Sequence, residues 1–355
     1  MEKELLKKLA AALKGSRLEK EIRIMEVCGT HTTDFFKTGV KDIFPENLTL
    51  IDGPGCPVCV TPNDYLDRAI ETGKKYGAII TTFGDMLKVP SSYSSLSAEK
   101  SSGMDVRIVY SPMEALAIAE ENPSKEVIFL SVGFETTAPT EAVSVLEAKN
   151  RNLKNFSLLA GNKLTPPAVR ALLDADEVKI DGFIIPGHVS ALIGAAPWNF
   201  IANEYSRPGV IAGFAAEELI AGTLALLRLI ALGKNAVENK YSKAVKQNGN
   251  EKAIEIMHNV FETASANWRG LGLIPDSALS LKEEYADFDA SRKLPVTPPP
   301  AKEHVGCRCG ELLRGLISPV DCPLFAGHCV PESPVGPCMV SSEGPCSAYY
   351  KYGRK

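Results

Sequence analysis

The chain has no cysteine over most of its length. Nine of its 355 residues are cysteines, and none lies between Cys59 and Cys307. Random usage would not leave the centre bare and crowd both ends. The pattern indicates that one end holds something with thiolates and that the other performs thiol chemistry. The cysteines are Cys28, Cys56 and Cys59 near the N-terminus, and Cys307, Cys309, Cys322, Cys329, Cys338 and Cys346 in the segment 304–355, which we call the tail.

The chain also lacks an excess of positive charge and a long apolar run. Its net charge of −4 argues against a nucleic-acid surface, which needs a clustered basic face. The longest apolar stretch, Leu219 to Leu232, is too short to span a membrane and contains Arg228. The N-terminal MEKELLKKLAAALKG alternates charged and apolar residues, unlike a signal peptide. We therefore expect a cytosolic protein, in which structural disulfides are rare and nine cysteines indicate metal binding or catalysis.

Short apolar runs alternate with helical patterns. This alternation is typical of parallel α/β sheets that are covered on both faces. A serine-rich break from Ser91 to Asp105 separates a first strand set from a second, and the pattern from Glu217 to Phe261 predicts helix throughout. The predicted strands are Ile22 to Val27, Leu48 to Asp52, Ala78 to Phe83, Val106 to Tyr110, Val127 to Val132, Phe156 to Ala160, Gly182 to Ile185 and Val210 to Gly213.

The chemically unusual residues follow these strands directly. Ligands of open parallel sheets bind at the carboxyl ends of the strands. We therefore expect one shared site in the cleft between the two α/β blocks. The segments concerned are Cys28 to His31, Gly53 to Cys56, Gly84-Asp85, Gly133 to Glu135 and Pro186 to His188.

The CPVC segment, Cys56 to Cys59, has the spacing of a redox-active pair. A helix start favours the thiolate of the first cysteine through backbone N–H groups and the helix dipole. The same spacing also serves as half of a zinc site, for which Cys28, His31 or the tail would have to supply the other ligands.

Cys28 stands alone, with His31 three residues further on in CGTHT. The two side chains could act as nucleophile and base, or as two ligands of one iron or copper ion. Burial as a small apolar residue is the third interpretation.

The six tail cysteines do not have the spacing of a zinc ribbon. Their wide spacing among prolines suits a loop wrapped around a larger object, such as a 4Fe–4S cluster held by four thiolates. A disulfide framework is the alternative, which a reducing compartment disfavours.

Two carboxylates and one further histidine also follow strands. Asp85 and Glu135 are unfavourable there without partners, and each is either a site residue or a helix cap. His188 either belongs to the site or orients a turn. We keep Glu135 among the candidate catalytic residues.

The whole pattern predicts an α/β protein in three segments. Two parallel-sheet α/β domains, residues 1–104 with the CGTHT and GPGCPVC motifs and residues 105–234, face a cleft. Residues 235–355 form a helical segment, the proline-rich linker KLPVTPPPAKE (Lys293 to Glu303) and a mostly irregular or helical iron–sulfur domain.

Taken together, these motifs resemble one protein family over nearly the whole chain, from about Met25 to Gly353. MEVCGTHT, GPGCPVCVTP, TTFGDMLKVP, SVGFETTAPT, PGHVS, WRGLG and the tail pattern CRCGELLRG…DCPLF…PVGPCMVSSEGPCSAYYKYG are similar to the HypD family of hydrogenase maturation factors. The resemblance implies two α/β domains and a C-terminal 4Fe–4S domain.

The resemblance also implies roles and partners. Cys28 would be an iron ligand with His31 beside it, and Cys56 and Cys59 would be a redox pair. The iron would transiently carry cyanide and carbon monoxide. A small HypC-type chaperone would share the iron, HypE would donate cyanide with HypF upstream, and the hydrogenase large subunit would receive the product. Such a protein is a redox-active assembly scaffold rather than a conventional turnover enzyme. The cluster ligands would be Cys307, Cys322, Cys329 and Cys346, with Cys309 and Cys338 outside the set.

Two other classes stay open. A stand-alone Fe–S thiol–disulfide reductase would need an exposed CPVC segment and would not need Cys28. A structural protein that binds zinc through every cysteine would be colourless, whereas a 4Fe–4S protein is brown.

Overall fold

The computed structural model describes residues 2–353, which form two parallel sheets, a long hairpin and a set of helices. Met1, Arg354 and Lys355, at the ends of the first and third predicted segments, lie outside the described residues. The strands are β1 Ile22–Glu26, β2 Leu48–Asp52, β3 Ile79–Thr82, β4 Val106–Ile108, β5 Val127–Ser131, β6 Phe156–Ala160, β7 Gly182–Pro186, β8 Gly209–Ala212, β9 Val237–Asn239, β10 Phe261–Trp268 and β11 Gly272–Leu281.

Helices cover both sheets, and three short helices lie in the part of the tail that the structure describes. They are α1 Glu2–Lys14, α2 Gly29–Lys37, α3 Pro57–Val60, α4 Asn63–Tyr76, α5 Leu96–Ser101, α6 Pro112–Glu121, α7 Ala138–Asn150, α8 Thr165–Ala175, α9 Gly187–Ile193, α10 Phe200–Asn203, α11 Ala216–Ala231, α12 Glu251–Val260, α13 Ala290–Lys293, α14 Cys309–Leu313, α15 Pro337–Val340 and α16 Pro345–Tyr352. Short 3₁₀ turns add Lys41–Ile43, Gly84–Met86, Ala196–Trp198, Glu283–Phe288 and Pro319–Asp321.

The predicted fold class is confirmed. Sheet A has the order β2-β1-β7-β8-β9 and sheet B the order β4-β3-β5-β6, and every pairing in them is parallel. All residues of the central strand β5 are buried, as expected for a strand covered on both faces. The eight predicted strands are present with small changes at their ends. The cysteine-rich C-terminal region is present with short helices.

The two sheets are interleaved along the chain. β3 precedes the boundary predicted between residues 104 and 105, yet it pairs with β4 and β5, which follow that boundary. The chain builds β1 and β2 of sheet A, then all of sheet B, and returns to sheet A with β7. The predicted boundary therefore falls within the segment that builds sheet B. As a division into independently folding units, the three predicted segments stay a prediction.

The prediction of helix throughout Glu217 to Phe261 is wrong. α11 ends at Ala231, the edge strand β9 follows, and helix resumes only at α12. Turn residues explain the break: Gly233 and Gly249 have φ of +60° and +72°, which glycine adopts without strain. The hairpin β10–β11 was also not predicted and lies within the third predicted segment.

An apolar cluster joins the sheets to the cysteine-bearing segments. It contains Met25 and Ile51 from sheet A, Ile128 from sheet B, and the four cysteines Cys56, Cys59, Cys309 and Cys338. Tail helix α16 packs on α2, while α14 and α15 pack on α3. The tail is therefore docked on sheet A beside the N-terminal cysteines. Across residues 2–353, none of the helices combines the length and the apolar character needed to cross a membrane.

Candidate functional site

The site is built on the carboxyl edge of sheet A. β1 and β2 pair in register, so that Glu26 lies opposite Asp52, and the chain continues to Cys28 on one side and to Gly55 on the other. A Cβ on Gly55 would lie 2.2 Å from the backbone nitrogen of Cys28, so only glycine permits this approach. The Gly29 N–H donates to the Gly55 carbonyl oxygen at 2.7 Å. The backbone thus brings Cys28 directly beside the CPVC segment.

Cys28 is buried, with 8 % of its surface exposed, and precedes the first residue of α2. Its backbone N–H donates to Glu26 Oε2 at 2.8 Å. Burial raises the pKa of the Cys28 thiol, with a smaller contribution from the neighbouring Glu26. The thiol is therefore protonated at neutral pH, and a metal ion bound there has to displace its proton.

A buried carboxyl pair, Glu26 and Asp52, lies beneath Cys28. Burial raises the pKa of both, that of Asp52 to about 6, and the charge of Asp52 raises the pKa of Glu26 further. Asp52 is hydrogen-bonded to the Tyr349 hydroxyl, which accepts a hydrogen bond from Lys41 Nζ at 2.6 Å. We did not predict this pair. Its signal was an acidic residue at the last position of two apolar strands, IRIME and LTLID.

His31 lies on the first turn of α2 with its ring fully buried. Its Nε2–H donates to the Gly213 carbonyl oxygen at 3.1 Å, and Nδ1 has no hydrogen-bond partner among the described residues. Burial lowers the pKa of His31 to about 4, so the ring is neutral at pH 7. A neutral imidazole with one free nitrogen is a competent metal ligand.

His188 reaches the same corner of the fold through an aromatic stack. Its ring stacks on Phe214 with centroids 3.7 Å apart, and the His31 ring lies 4.7 Å from the Phe214 ring centroid. The structure therefore brings the CGTHT and PGHVS motifs together, as expected for a shared site.

A loop of the tail covers the start of α2. Thr30 Oγ1 donates to Glu343 at 2.8 Å, and a Cβ on Gly29 would lie 2.5 Å from the Glu343 side chain. Ser341 and Ser342 donate to Asp85, which follows β3. Asp85 thus lies near the predicted site, whereas Glu343 was missed because nothing in the SSEG sequence singles it out.

The CPVC cysteines form a disulfide and are almost fully buried, at 1 % and 0 % exposure for Cys56 and Cys59. A second disulfide joins Cys309 and Cys338, on the two tail helices that pack on α3. The stand-alone reductase needs an exposed CPVC segment, and this burial disfavours it.

The four remaining tail cysteines surround one apolar cavity. Burial raises the pKa of the Cys346 thiol, and the charges of Cys329, Cys307 and Cys322 raise it further. The four sulfurs are therefore close neighbours. The Val335 N–H donates to Cys329 Sγ at 3.3 Å. Leu312, Leu324, Phe325 and Met339 line the same cavity. Four convergent free thiols in an apolar shell with an N–H···S bond fit a 4Fe–4S cluster.

A centre for a single metal ion would need its ligand side chains directed at one point, unlike the four thiols around this cavity. Within the described part of the chain, no three or more His, Cys, Asp or Glu side chains are placed to hold one metal ion. The tail thiols enclose a common space instead, and a multi-atom cluster requires such spacing.

Glu135 follows sheet B and interacts with the start of α8. The Thr165 N–H donates to Glu135 Oε1 at 2.7 Å, and the Thr165 hydroxyl also contacts the carboxyl group. Burial raises the pKa of Glu135 to about 7. These contacts favour the capping interpretation, and no contact described for residues 2–353 joins Glu135 to Cys28 or His31.

Fold and site together define a class: a two-sheet α/β protein with thiols at one sheet edge and a cysteine-lined pocket docked beside them. Residues 1–353 match the HypD family model, described as "Hydrogenase formation hypA family". The chain therefore belongs to the HypD family, whose role is in hydrogenase maturation.

Curated relatives cover nearly the full length. The chain is 45 % identical to the hydrogenase expression/formation protein HupD of Azotobacter chroococcum over 95 % of this chain and 90 % of that protein. It is 43 % identical to the hydrogenase maturation factor HypD of Cupriavidus necator, covering 99 % and 95 %. It is also 43 % identical to HypD of Escherichia coli K12, covering 94 % and 90 %.

Proposed function

We propose that this chain is the scaffold on which an iron ion is held, at Cys28, while cyanide and carbon monoxide are attached to it during hydrogenase maturation. The observation that carries the proposal is the position of Cys28. It is the N-terminal cysteine outside the CPVC disulfide, and it lies at the carboxyl edge of sheet A beside that disulfide.

The chemistry of the site suits this cargo. Iron that carries cyanide and carbon monoxide is low-spin Fe(II) and prefers soft thiolate donors. Cys28 supplies the thiolate once its proton is displaced, and the free Nδ1 of His31 supplies a second, borderline donor on the same helix turn. A single labile thiolate also allows the finished iron unit to leave.

Reduction of the CPVC disulfide would add two thiols beside Cys28. The S–S bond between Cys56 and Cys59 takes up two electrons and two protons and becomes two thiols. Both sulfurs are shielded from solvent, so the new thiols would serve the adjacent site rather than a protein substrate in solution.

The tail is proposed to hold a resident 4Fe–4S cluster. Cys307, Cys322, Cys329 and Cys346 would be its ligands, since these four are free and share the apolar cavity. A bound cluster of this kind supplies electrons one at a time. The Cys309–Cys338 disulfide lines the same cavity, and its two helices contact α3, which carries Cys59.

The proposal includes partners and a compartment. A small HypC-type chaperone would bind beside Cys28 and share the iron. HypE, with HypF upstream, would supply cyanide, and the hydrogenase large subunit would receive the finished unit. The net charge and the absence of a membrane-length helix among the described residues fit a cytoplasmic location without nucleic-acid contacts.

A thiol–disulfide reductase is the second candidate. The two neighbouring disulfides beside a cysteine-lined cavity favour it, and the burial of Cys56 and Cys59 counts against it. The two functions differ in their need for Cys28, which a reductase can lose without effect.

Infrared spectroscopy of the complex with the small partner, purified without oxygen, tests the proposal. Cys28→Ala should keep the fold and the brown colour but lose the bands of iron-bound cyanide and carbon monoxide. Cys28→Ser is stricter, because a hydroxyl has nearly the same size but is a poorer donor for Fe(II). Thr38→Ala, at the other end of α2, is the matched control and should keep the bands. Bands at full intensity in Cys28→Ser would place the iron elsewhere.

A further inference from the structure

Arg269 is a buried arginine at the tip of the β10–β11 hairpin, with 3 % of its side chain exposed. Its guanidinium donates four hydrogen bonds. Nε reaches the Cys59 carbonyl oxygen at 3.0 Å, and Nη2 reaches the Thr61 carbonyl oxygen at 2.8 Å and Asn63 Oδ1 at 2.7 Å. Nη1 reaches Glu303 at 2.7 Å. The fork thus binds the CPVC segment, the start of α4 and the linker that leads to the tail.

The backbone around Arg269 strengthens the same junction. The Arg269 N–H donates to the Val60 carbonyl oxygen at 2.9 Å. Gly270 packs against Gly310, since a Cβ on Gly270 would lie 2.4 Å from the Gly310 Cα. The hairpin tip therefore packs between two short helices: α3, which contains Cys59 of the CPVC segment, and α14, which begins at Cys309.

The charge of Arg269 is only partly balanced. Three of its four acceptors are neutral. The fourth, the Glu303 carboxylate, is 46 % exposed and therefore screened by solvent, and Asp64 is a second carboxylate whose charge acts on the guanidinium without a hydrogen bond to it. The Nε of Arg269 donates to the backbone carbonyl oxygen of Cys59, so the positive charge lies beside one of the two cysteines of the CPVC disulfide.

From this geometry we infer that Arg269 is a positioning residue that makes the Cys56–Cys59 disulfide easier to reduce. Reduction by a dithiol breaks the S–S bond, transfers two electrons to the pair and oxidises the dithiol to its own disulfide; the pair keeps both protons of the dithiol as two thiols, or keeps one as a thiol and a thiolate while the other goes to solvent. A nearby cation stabilises the thiolate forms of the products and leaves the neutral disulfide unaffected, so it raises the reduction potential. The inference rests on the redox role proposed for this pair and is independent of iron.

A titration of the full chain against ratios of reduced to oxidised dithiothreitol measures this effect. At each ratio the reaction is quenched with acid, the chain is unfolded and the free thiols are alkylated, because Cys56 and Cys59 are buried in the folded chain. Mass spectrometry of the peptide that contains both cysteines then gives the reduced fraction. Arg269→Gln should need about a tenfold higher ratio for half-reduction, which is about 30 mV for two electrons. Arg269→Lys keeps the charge and should remain near the wild type. Arg292→Gln, which removes an exposed arginine paired with Glu283, is the matched control and should not shift.

A second variant protects the test against misfolding. Glu303→Gln removes the half-exposed negative partner and leaves Arg269 in place, so it should shift half-reduction the opposite way, toward a lower ratio. A purely structural role would lower the melting temperature of Arg269→Lys and Arg269→Gln alike and leave the potential unchanged. The inference fails if a folded Arg269→Gln titrates like the wild type, or, where that variant does not fold, if Glu303→Gln does so. If the wild-type pair cannot be reversibly reduced, the redox role itself fails.

Discussion

The N-terminal and the tail cysteines occupy opposite kinds of protein environment. Cys28 and Cys56 follow β1 and β2 almost directly, and the register of the two strands fixes their backbones. Cys322 and Cys329 lie in irregular chain between the short helices α14 and α15. The first region is organised by sheet hydrogen bonds, whereas the second consists of short helices joined by irregular chain.

The two environments suit two kinds of metal binding, one transient and one permanent. A site that receives and releases cargo has to keep its shape when empty, and a sheet edge provides that rigidity. A loop that folds around a permanent cluster can use the cluster as part of its core, because metal binding and folding are then coupled. This rigidity argument supports the proposal that the transient iron binds at the sheet edge and the resident cluster in the tail.

The largest expected effect is on the brown chromophore, which should depend on the tail cysteines and not on the N-terminal ones. Cys329→Ala should abolish the brown chromophore, because one of four ligands is lost and the Val335 N–H···S contact goes with it. The triple change of Cys28, Cys56 and Cys59 to Ala should leave the chromophore intact, with the four irons and four sulfides of one cluster. Iron, acid-labile sulfide and visible absorbance measure both.

The matched control for these variants is Cys309→Ser with Cys338→Ser, which changes two buried tail cysteines outside the ligand set. It should keep the colour. Loss of colour in the N-terminal triple variant, or its retention in Cys329→Ala, would reverse the assignment of the two regions.

A smaller effect comes from the contact between the regions. Gly315 has φ of +75°, and a Cβ there would lie 2.5 Å from Ile51 and 2.8 Å from Met25. Gly315→Ala should lower the free energy of unfolding by about 3 kcal/mol through backbone strain and overpacking.

Gly233 supplies the control, with φ of +60° and no atom within 4 Å of the added Cβ. Gly233→Ala should cost about 1 kcal/mol, from strain alone. Urea unfolding of the two variants measures the difference. Equal losses would mean that the tail does not pack closely on sheet A in solution.

The sequence predicted the strands and the residues at their carboxyl ends better than their grouping. Apolar runs such as VIFLS identify a buried strand, but strand order depends on long-range packing that no local pattern records. For this reason the sequence grouped β3 with β1 and β2 in one segment, whereas its hydrogen-bonded neighbours are β4 and β5. The hairpin β10–β11 was missed because FETASANW is mostly exposed and lacks the apolar alternation of a strand.

Positions at the strand ends could be predicted from the motifs, whereas contacts between distant parts of the chain could not. Cys28 and the CPVC segment lie side by side, as expected from their places after neighbouring strands, and the roles of these residues stay a prediction. Glu343 and Arg269 reach the thiol sites from more than 200 residues away, so their contacts exist only in the folded chain. WRGLG was not assigned a chemical role, although its arginine binds the Cys59 carbonyl.

The smallest expected effect concerns the pH dependence of stability at sheet B, where buried carboxyls take the place of cysteines. The Ser131 hydroxyl has one proton and lies against both Glu141 and Asn162 Oδ1. Asn162 Oδ1 can only accept, so Ser131 donates to it and a protonated Glu141 donates to Ser131. Burial raises the pKa of Glu141 to about 7, in agreement with this arrangement.

Stability should therefore fall with rising pH at this site. The folded form keeps the proton of Glu141 up to about pH 7, whereas the unfolded chain loses it near 4.5. The contribution is complete below about pH 4.5 and is lost as pH rises through about 7, a total of about 3 kcal/mol. Glu141→Gln should be more stable than the wild type at pH 8, and this advantage should shrink at pH 5. Thermal melts at both pH values test this, with Glu147→Gln, a partly exposed residue paired with Arg151, as control. A pH-independent difference would show that Glu141 is ionised in the folded chain.

Mössbauer spectroscopy of the complex with the small partner, loaded with isotopically enriched iron, tests the separation of the two regions most directly. The account predicts two signals in the wild type, one from the tail cluster and one from low-spin Fe(II) at Cys28. In Cys28→Ser the low-spin signal should vanish and the cluster signal should stay unchanged. Full low-spin intensity in Cys28→Ser, or loss of both signals together, would contradict the assignment of transient iron to the sheet edge and resident cluster to the tail.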